Sequence, residues 1–197
     1  MLKNKRDDWC FEEFGEVAIE SISKEVLSYY DEWLIDTTRQ NSYETHKDTF
    51  AFEIRSLDYF HSFGTDGICV TKRNLSSDAA RKEFFDIVGH VESLAGGKLI
   101  RAEFINMKPR SRIRTHKDRS DVLYVARRFH VPIKTNYLVT FSSGAEVRNL
   151  KTGTLYELNN IKYHSVQNAS DDNRIHLILD VLPNDYLEGI RFIDETE

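Results

Sequence analysis

The residue pattern changes after Gly97: short runs of β-prone residues alternate with turn residues from there on. The runs are separated by clusters of Gly, Pro, Asn, Asp and Ser, which favour tight turns. Many short strands at this spacing are typical of a β-sandwich or a β-barrel. We predict strands at residues 99–107, 113–118, 128–134, 136–141, 145–150, 154–158, 164–167 and 174–181.

The chain before this point is predicted to be mainly helical. Apolar residues between 16 and 34 recur largely at three- and four-residue steps, which favours one amphipathic helix. The Ser-Ser-Asp sequence at 76–78 offers N-cap chemistry for a second helix, which the Gly-Gly pair at 96–97 ends. Two further segments, 49–57 and 67–71, are predicted to be short strands.

A chain of 197 residues fits one domain, and no low-complexity tract or obvious linker divides it. We therefore predict a single α+β domain over residues 1–197. In this domain a mainly helical part (1–97) packs against a β core (98–183), and a short tail (184–197) follows.

Composition and cysteine usage indicate an intracellular protein. No apolar stretch approaches the about 20 residues of a transmembrane helix, and the N-terminus turns acidic where a secretory signal would be apolar. Cys10 and Cys69 lie far apart and have no CxxC partner, which favours two free thiols in a reducing compartment over a disulfide. We predict a cytoplasmic location and no membrane contact.

The net charge of −5 hides a local basic zone. Residues 98–134 contain eleven Lys or Arg and three acids, which gives +8, so the remainder carries −13. A basic zone on an acidic protein suggests an anionic ligand at one site more than a broad nucleic-acid footprint. The alternative is an arginine-rich loop that contacts only solvent.

Three side chains have the spacing of a metal site. His116 and Asp118 are two residues apart, so on an extended segment they point to the same face, and His164 opens a later predicted strand. Two imidazoles and one carboxylate on one face of a metal leave adjacent positions open, as in non-haem Fe(II) oxygenases. Because short HxD pairs arise often by chance, an unrelated surface pair is the alternative.

Arg174 strengthens the metal interpretation. A hairpin after His164 would place Arg174 on the paired strand, where its guanidinium can reach a carboxylate whose other end chelates the metal. The alternative role is a structural ion pair. However, the run IHLILDV that follows Arg174 has the composition of a buried strand, and an arginine leading into such a strand needs an anion.

Several motifs together resemble the aspartyl/asparaginyl β-hydroxylase family, especially its small bacterial members that hydroxylate free amino acids. The motifs are HKD at 116–118, RFH at 128–130, GTLYELNN at 153–160, HSVQN at 164–168 and RIHLILD at 174–180. Animal members of the family lack the acidic metal ligand that Asp118 would supply here, so its presence favours the small-molecule branch.

The resemblance implies a double-stranded β-helix, a cupin-like jelly roll, with the N-terminal helices packed against it. It implies Fe(II) bound by His116, Asp118 and His164, with O2 and the cosubstrate 2-oxoglutarate. Arg174 would anchor 2-oxoglutarate with help from Arg128 and His130, which are two residues apart and would share a strand face. For His130, the role of a hydrogen-bonded core histidine is an equal alternative.

The implied reaction is hydroxylation of a C–H bond in a free amino acid or in an Asp- or Asn-type side chain of a peptide. Two other functions stay open: a metal-binding cupin without oxidation, acting as an isomerase or a binding module, and an oxygenase acting on nucleic acid. Arg110, Arg112 and Arg114 precede His116 at alternate positions, so a regular strand would direct Arg114 toward the pocket and a substrate carboxylate. The alternative is that these arginines contact only solvent or the acidic N-terminal helices. The sequence does not predict an oligomeric state.

Overall fold

Strands account for most of the regular structure in the computed structural model, which describes residues 8–29, 31–35, 41, 44–58, 67–118 and 120–193. In this part of the chain the strands are β1 (Phe11–Glu16), β2 (Thr49–Asp58), β3 (Gly67–Thr71), β4 (Gly97–Met107), β5 (Ser111–His116), β6 (Arg127–Lys134), β7 (Val139–Ser143), β8 (Glu146–Arg148), β9 (Thr154–Leu158), β10 (His164–Asn168), β11 (Arg174–Pro183) and β12 (Ile190–Ile193).

The described strands form two facing sheets. The large sheet has the order β1-β9-β6-β11-β4-β2-β3-β12, and the small sheet has the order β5-β10-β7-β8. Neighbouring strands are antiparallel except β12, which runs parallel to β3. Apolar residues from both sheets, among them Met107, Phe141 and Val166, pack into one cluster between them. The predicted jelly roll with helices packed on it is confirmed.

The helices are α1 (Glu20–Val26), α2 (Asp78–Ala95) and α3 (Asp121–Val125). The start and end of α2 agree with the prediction: the Ser77 hydroxyl accepts the N–H of Ala80 (3.1 Å), and Gly96 ends the helix with φ +61°. Its buried residues recur at three- and four-residue steps and pack on the outer face of the large sheet. They are Ala80, Phe84, Ile87, Val91 and Ala95.

The predicted helix over residues 16–34 is wrong. Glu16 ends strand β1, the α-helix covers only Glu20–Val26, and a 3-10 helix follows at Asp31–Leu34; residue 30 lies outside the described residues. At Glu16 the pairing of β1 with β9, about 140 residues away, decides the backbone conformation and overrides the helical period. Strands β1 and β12 were both absent from the prediction.

The N-terminal part is therefore not a separate helical layer. Its strands β1, β2 and β3 join the same large sheet as the predicted β core. Cys10 and Cys69 are both buried free thiols, as predicted. Among the described residues, no helix combines the length and the apolar character that spanning a bilayer requires.

At Gly97 the backbones of β4 and β11 approach each other closely. A Cβ at this position would lie 2.1 Å from the carbonyl oxygen of Leu182 in the backbone of β11. We expect Gly97→Ala to lower the free energy of unfolding by about 1–3 kcal/mol, because the two central strands must separate to admit the methyl group. Denaturant unfolding followed by circular dichroism measures this change.

Gly89, inside α2, is the matched control. An added Cβ there meets nothing within 4 Å, so Gly89→Ala is expected to stabilise the protein by about 0.5–1 kcal/mol through helix propensity. Similar effects of the two substitutions would contradict the close approach at Gly97.

Candidate active site

A cavity of about 570 Å³ lies between the two sheets and holds most of the predicted site residues. The large sheet lines it with side chains from β4, β6 and β11, and the small sheet lines it with side chains from β5, β7 and β10. His116, Asp118, Arg128, His130, His164 and Arg174 all border this space.

The three predicted metal ligands lie together at the end of two paired strands. His116 is the last residue of β5, and His164, the first residue of β10, is its cross-strand partner. Their ring centroids are 4.3 Å apart. Asp118 follows just beyond β5, with its Oδ1 3.9 Å from the Nε2 of His116. One potential ligand atom from each residue lies within 4.8 Å of the others, close enough to bind one metal ion.

Both imidazoles are oriented by their own backbone. The Nδ1 of His116 lies 2.8 Å from the carbonyl oxygen of Arg114, and the Nδ1 of His164 lies 2.9 Å from that of Lys162. A carbonyl oxygen only accepts, so each Nδ1 donates this hydrogen bond, and each Nε2 is the ring nitrogen left to bind a metal. This is the usual orientation of metal-ligating histidines. A site with two such nitrogens and one carboxylate fits Fe(II).

The protonation states of Asp118 and His164 also suit metal binding. Burial would raise the pKa of Asp118, but the positive charges around it, chiefly Arg128, together hold this pKa below its usual value. Burial lowers the pKa of His164 to about 4, although the charge of Asp118 acts in the opposite direction. At neutral pH the carboxylate is thus ionised and the imidazole is neutral, the forms that bind a metal.

Asp118 is held in place by two neighbours. The Nη1 of Arg128 donates a short hydrogen bond to its Oδ2, and the Nδ2 of Asn160 donates another at 3.2 Å. Sequence reasoning missed the role of Asn160, although it ends the GTLYELNN motif. Hydrogen bonds of this kind orient a ligating carboxylate and tune its metal affinity.

Arg174 begins β11 and is almost fully buried, with 1% of its surface exposed. Its Nη2 donates to the Nδ1 of His176 at 2.6 Å, and its guanidinium lies 6.0 Å from the ring centroid of Phe141. Burial and the charge of Arg174 hold the pKa of His176 well below its usual value, so this imidazole is a neutral acceptor. Arg174 therefore places a fixed positive charge on the cavity wall.

Arg128 and His130 share the cavity face of β6, as their spacing predicted. The guanidinium of Arg128 donates to Asp180 at 2.8 and 3.0 Å as well as to Asp118, so carboxylates of the protein already occupy it. Neither ring nitrogen of His130 has a hydrogen-bond partner among the described residues. No described residue supplies the hydrogen bond that a core histidine would make, and both roles of His130, in the core and as a cosubstrate contact, stay predictions.

The prediction that Arg114 points into the pocket is wrong. The pairing of β5 with β10 shifts between Ile113 and His116, and this bulge places both of these side chains on the cavity side. Arg114 lies on the outer face, where it is exposed and its Nη2 is 3.4 Å from Glu44. Arg110 does not continue the strand: its φ is +51° and it pairs with Asp171 across a turn.

Arg101 and His46 line the cavity and were not predicted, and neither was Asp180, a fully buried carboxylate that pairs with Arg101 and Arg128. Asp180 shares the face of Arg174, and strand alternation in RIHLILD was the signal for it. Arg101 lies opposite Asp180 on β4. His46 comes from the N-terminal part and packs edge-on against His116, with ring centroids 5.4 Å apart. No local pattern marks His46, because only the fold brings it to the metal ligands.

Comparison with known protein families agrees with the motifs. The model of the aspartyl/asparaginyl β-hydroxylase family matches residues 16–183, most of the chain. The chain belongs to this family. The resemblance seen in the sequence is confirmed, and with it an oxygenase family. No curated protein matches the sequence.

Two solved structures that resemble this chain are distant from it in sequence. The nickel complex of the non-heme monooxygenase ThoJ superposes with a TM-score of 0.54 at 14% identity, over 88% of this chain and 73% of that one. An oxidoreductase of the 2OG-Fe(II) oxygenase family from Burkholderia pseudomallei gives 0.48 at 13% identity, over 68% of this family member and 66% of that chain. At such identities the likeness to ThoJ bears on the fold alone.

Proposed function

We propose that this family member is an Fe(II)- and 2-oxoglutarate-dependent dioxygenase that hydroxylates a C–H bond of an amino acid. The observation that carries the proposal is one cavity with a possible metal-ligand set, His116, Asp118 and His164, and a buried arginine, Arg174, on its wall. A metal alone does not require that arginine. A metal together with a dicarboxylate does.

In this proposal the residues hold and orient the reactants. The two Nε2 atoms and the Asp118 carboxylate would occupy one side of Fe(II) and leave adjacent positions open. With 2-oxoglutarate and O2, iron supplies the oxidation that yields succinate, CO2 and a hydroxylated product. Arg128 and Asn160 hold Asp118 in its ligating orientation.

Arg174 would anchor the far carboxylate of 2-oxoglutarate. A guanidinium stays charged at any working pH and presents paired donors that match a carboxylate. Its burial excludes competing water, which strengthens the ion pair. His130, with both ring nitrogens unpartnered among the described residues, borders the same space and would contribute a hydrogen bond to the cosubstrate.

The basic zone does not favour a nucleic-acid substrate. Several of its arginines pair with acids from elsewhere in the fold: Arg110 with Asp171, Arg114 with Glu44, and Arg127 with Glu157. Internal pairing leaves less positive charge for a phosphate backbone. A small substrate that enters the cavity, a free amino acid, suits the site better than a polymer. A peptide side chain of Asp or Asn type is the second choice.

The proposal is tested by loading the protein with iron and incubating it with 2-oxoglutarate and a panel of free amino acids. We expect one iron per chain and succinate release that one or a few amino acids raise well above the substrate-free rate. The metal-free protein is the control. Bound metal without succinate would favour the non-oxidative cupin, and stimulation only by a peptide or an oligonucleotide would overturn the choice of substrate.

A further inference from the structure

The cavity has two chemically distinct ends. Along β11, Arg174 and Asp180 are six residues apart on the same face, about 20 Å at the usual rise of a strand. His164 is near Phe141, whose ring lies on the Arg174 side, whereas Asp118 is tied through Arg128 to Asp180. The metal ligands thus stand between the two ends. If the proposed function holds, 2-oxoglutarate occupies the Arg174 end and the substrate approaches from the Asp180 end.

Arg101 offers an open donor at the Asp180 end. Its Nε donates a hydrogen bond to Oδ2 of Asp180 at 2.7 Å, and its Nη2 forms an ion pair with the same oxygen at 2.6 Å. Its Nη1 makes no hydrogen bond among the described residues and is held only by a longer ion pair, 3.7 Å from the Oε1 of Glu103. The side chain is 25% exposed and borders the cavity. Asp180 therefore fixes one edge of the guanidinium, and Nη1, on a side chain that borders the cavity, is left with only the longer ion pair.

The other cations at this end are less suited to bind a ligand. Arg128 is buried and donates from its Nε and both Nη nitrogens to Asp118 and Asp180. Lys117 is exposed at the rim, where its ammonium lies 4.4 Å from the ring centroid of Tyr163. We propose that Arg101 binds the carboxylate of the substrate and so determines which amino acids the enzyme accepts.

The charge of the site refines the class of substrate. Apart from Lys117, which is exposed to solvent at the rim, the charged residues described in the cavity wall and its ion-pair network balance: Arg101, Arg128 and Arg174 against Asp118, Asp180 and Glu103. Fe(II) and the dianion 2-oxoglutarate also cancel each other. A bound substrate should then carry no net charge, because an uncompensated charge in a buried site is unfavourable. A neutral amino acid, a zwitterion with one carboxylate for Arg101, meets this condition, whereas aspartate does not.

Equilibrium binding tests this without turnover. The protein loaded with Fe(II) and 2-oxoglutarate is titrated anaerobically with neutral L-amino acids, L-aspartate and the α-carboxamide of each, and heat or visible absorbance is recorded. We expect the wild type to bind one or more neutral amino acids and to reject their carboxamides. Arg101→Gln should weaken the amino acid by about thirtyfold or more and abolish the preference for acid over amide.

Two variants keep the result interpretable. Lys117→Gln removes the rim cation and should leave the preference intact. Arg101→Lys keeps the charge and should retain part of the affinity. This result would show that Arg101→Gln loses affinity through the missing contact with the carboxylate and not through misfolding. The inference is overturned if Arg101→Gln keeps the preference, if Lys117→Gln loses it instead, if aspartate is preferred, or if no amino acid binds. Failure of the wild type to bind iron or 2-oxoglutarate would instead refute the proposed function.

Discussion

Replacing His164 by alanine is expected to remove bound iron and, with it, succinate formation. His164 opens β10 directly opposite His116, and its Nε2 faces the position that a metal would occupy. It is 4% exposed, so water does not readily replace it as a ligand. Changes in residues that only orient a ligand already lower affinity or activity by about 10–100-fold. The loss of a ligand itself should exceed that.

Metal analysis of the purified variant and a succinate assay measure this effect. Gln167→Ala is the matched control, because Gln167 lies on the same strand with an exposed side chain that does not border the cavity. We expect the control to keep both iron and turnover. Full metal content and turnover in His164→Ala would show that the ligand set is wrong.

Arg174→Ala is expected to raise the 2-oxoglutarate concentration needed for half-maximal succinate release while iron binding stays nearly intact. Truncating one partner of a buried charged pair costs about 2–5 kcal/mol, or about 30- to 5000-fold in affinity. Arg174 is buried and is not among the three grouped metal ligands, so the two measurements should separate.

Arg110→Ala is the control for a general loss of positive charge, because Arg110 is exposed and pairs with Asp171 on the surface. It should leave the dependence on 2-oxoglutarate unchanged. If Arg174→Ala also left that dependence unchanged, the cosubstrate would have to be anchored elsewhere in the cavity.

Features that depend on local chemistry were predictable from the sequence. Helix α2 has a serine N-cap and a glycine at its end, and both act within a few residues of their own position. The grouping of His116, Asp118 and His164 also followed from the spacing of the motifs and from the order of the strands.

Features that depend on distant pairing were not predictable. The bulge in β5 that turns Arg114 outward arises from its register with β10, about 50 residues later. Strand β1 exists because it pairs with β9. Arg101 and His46 carry no motif of their own, and their position beside the cavity depends on how the whole sheet assembles.

Strand β11 lies inside the large sheet, between β6 and β4, and carries both Arg174 and Asp180. During synthesis on the ribosome, β4 and β6 emerge well before β11. Until residues 174–183 leave the exit tunnel, both strands have an open hydrogen-bonding edge, and the nascent chain lacks the charges that define the two ends of the cavity. The large sheet therefore cannot close until β11 has been synthesised. During this interval the exposed edges of β4 and β6 are open to misassembly and chaperone binding.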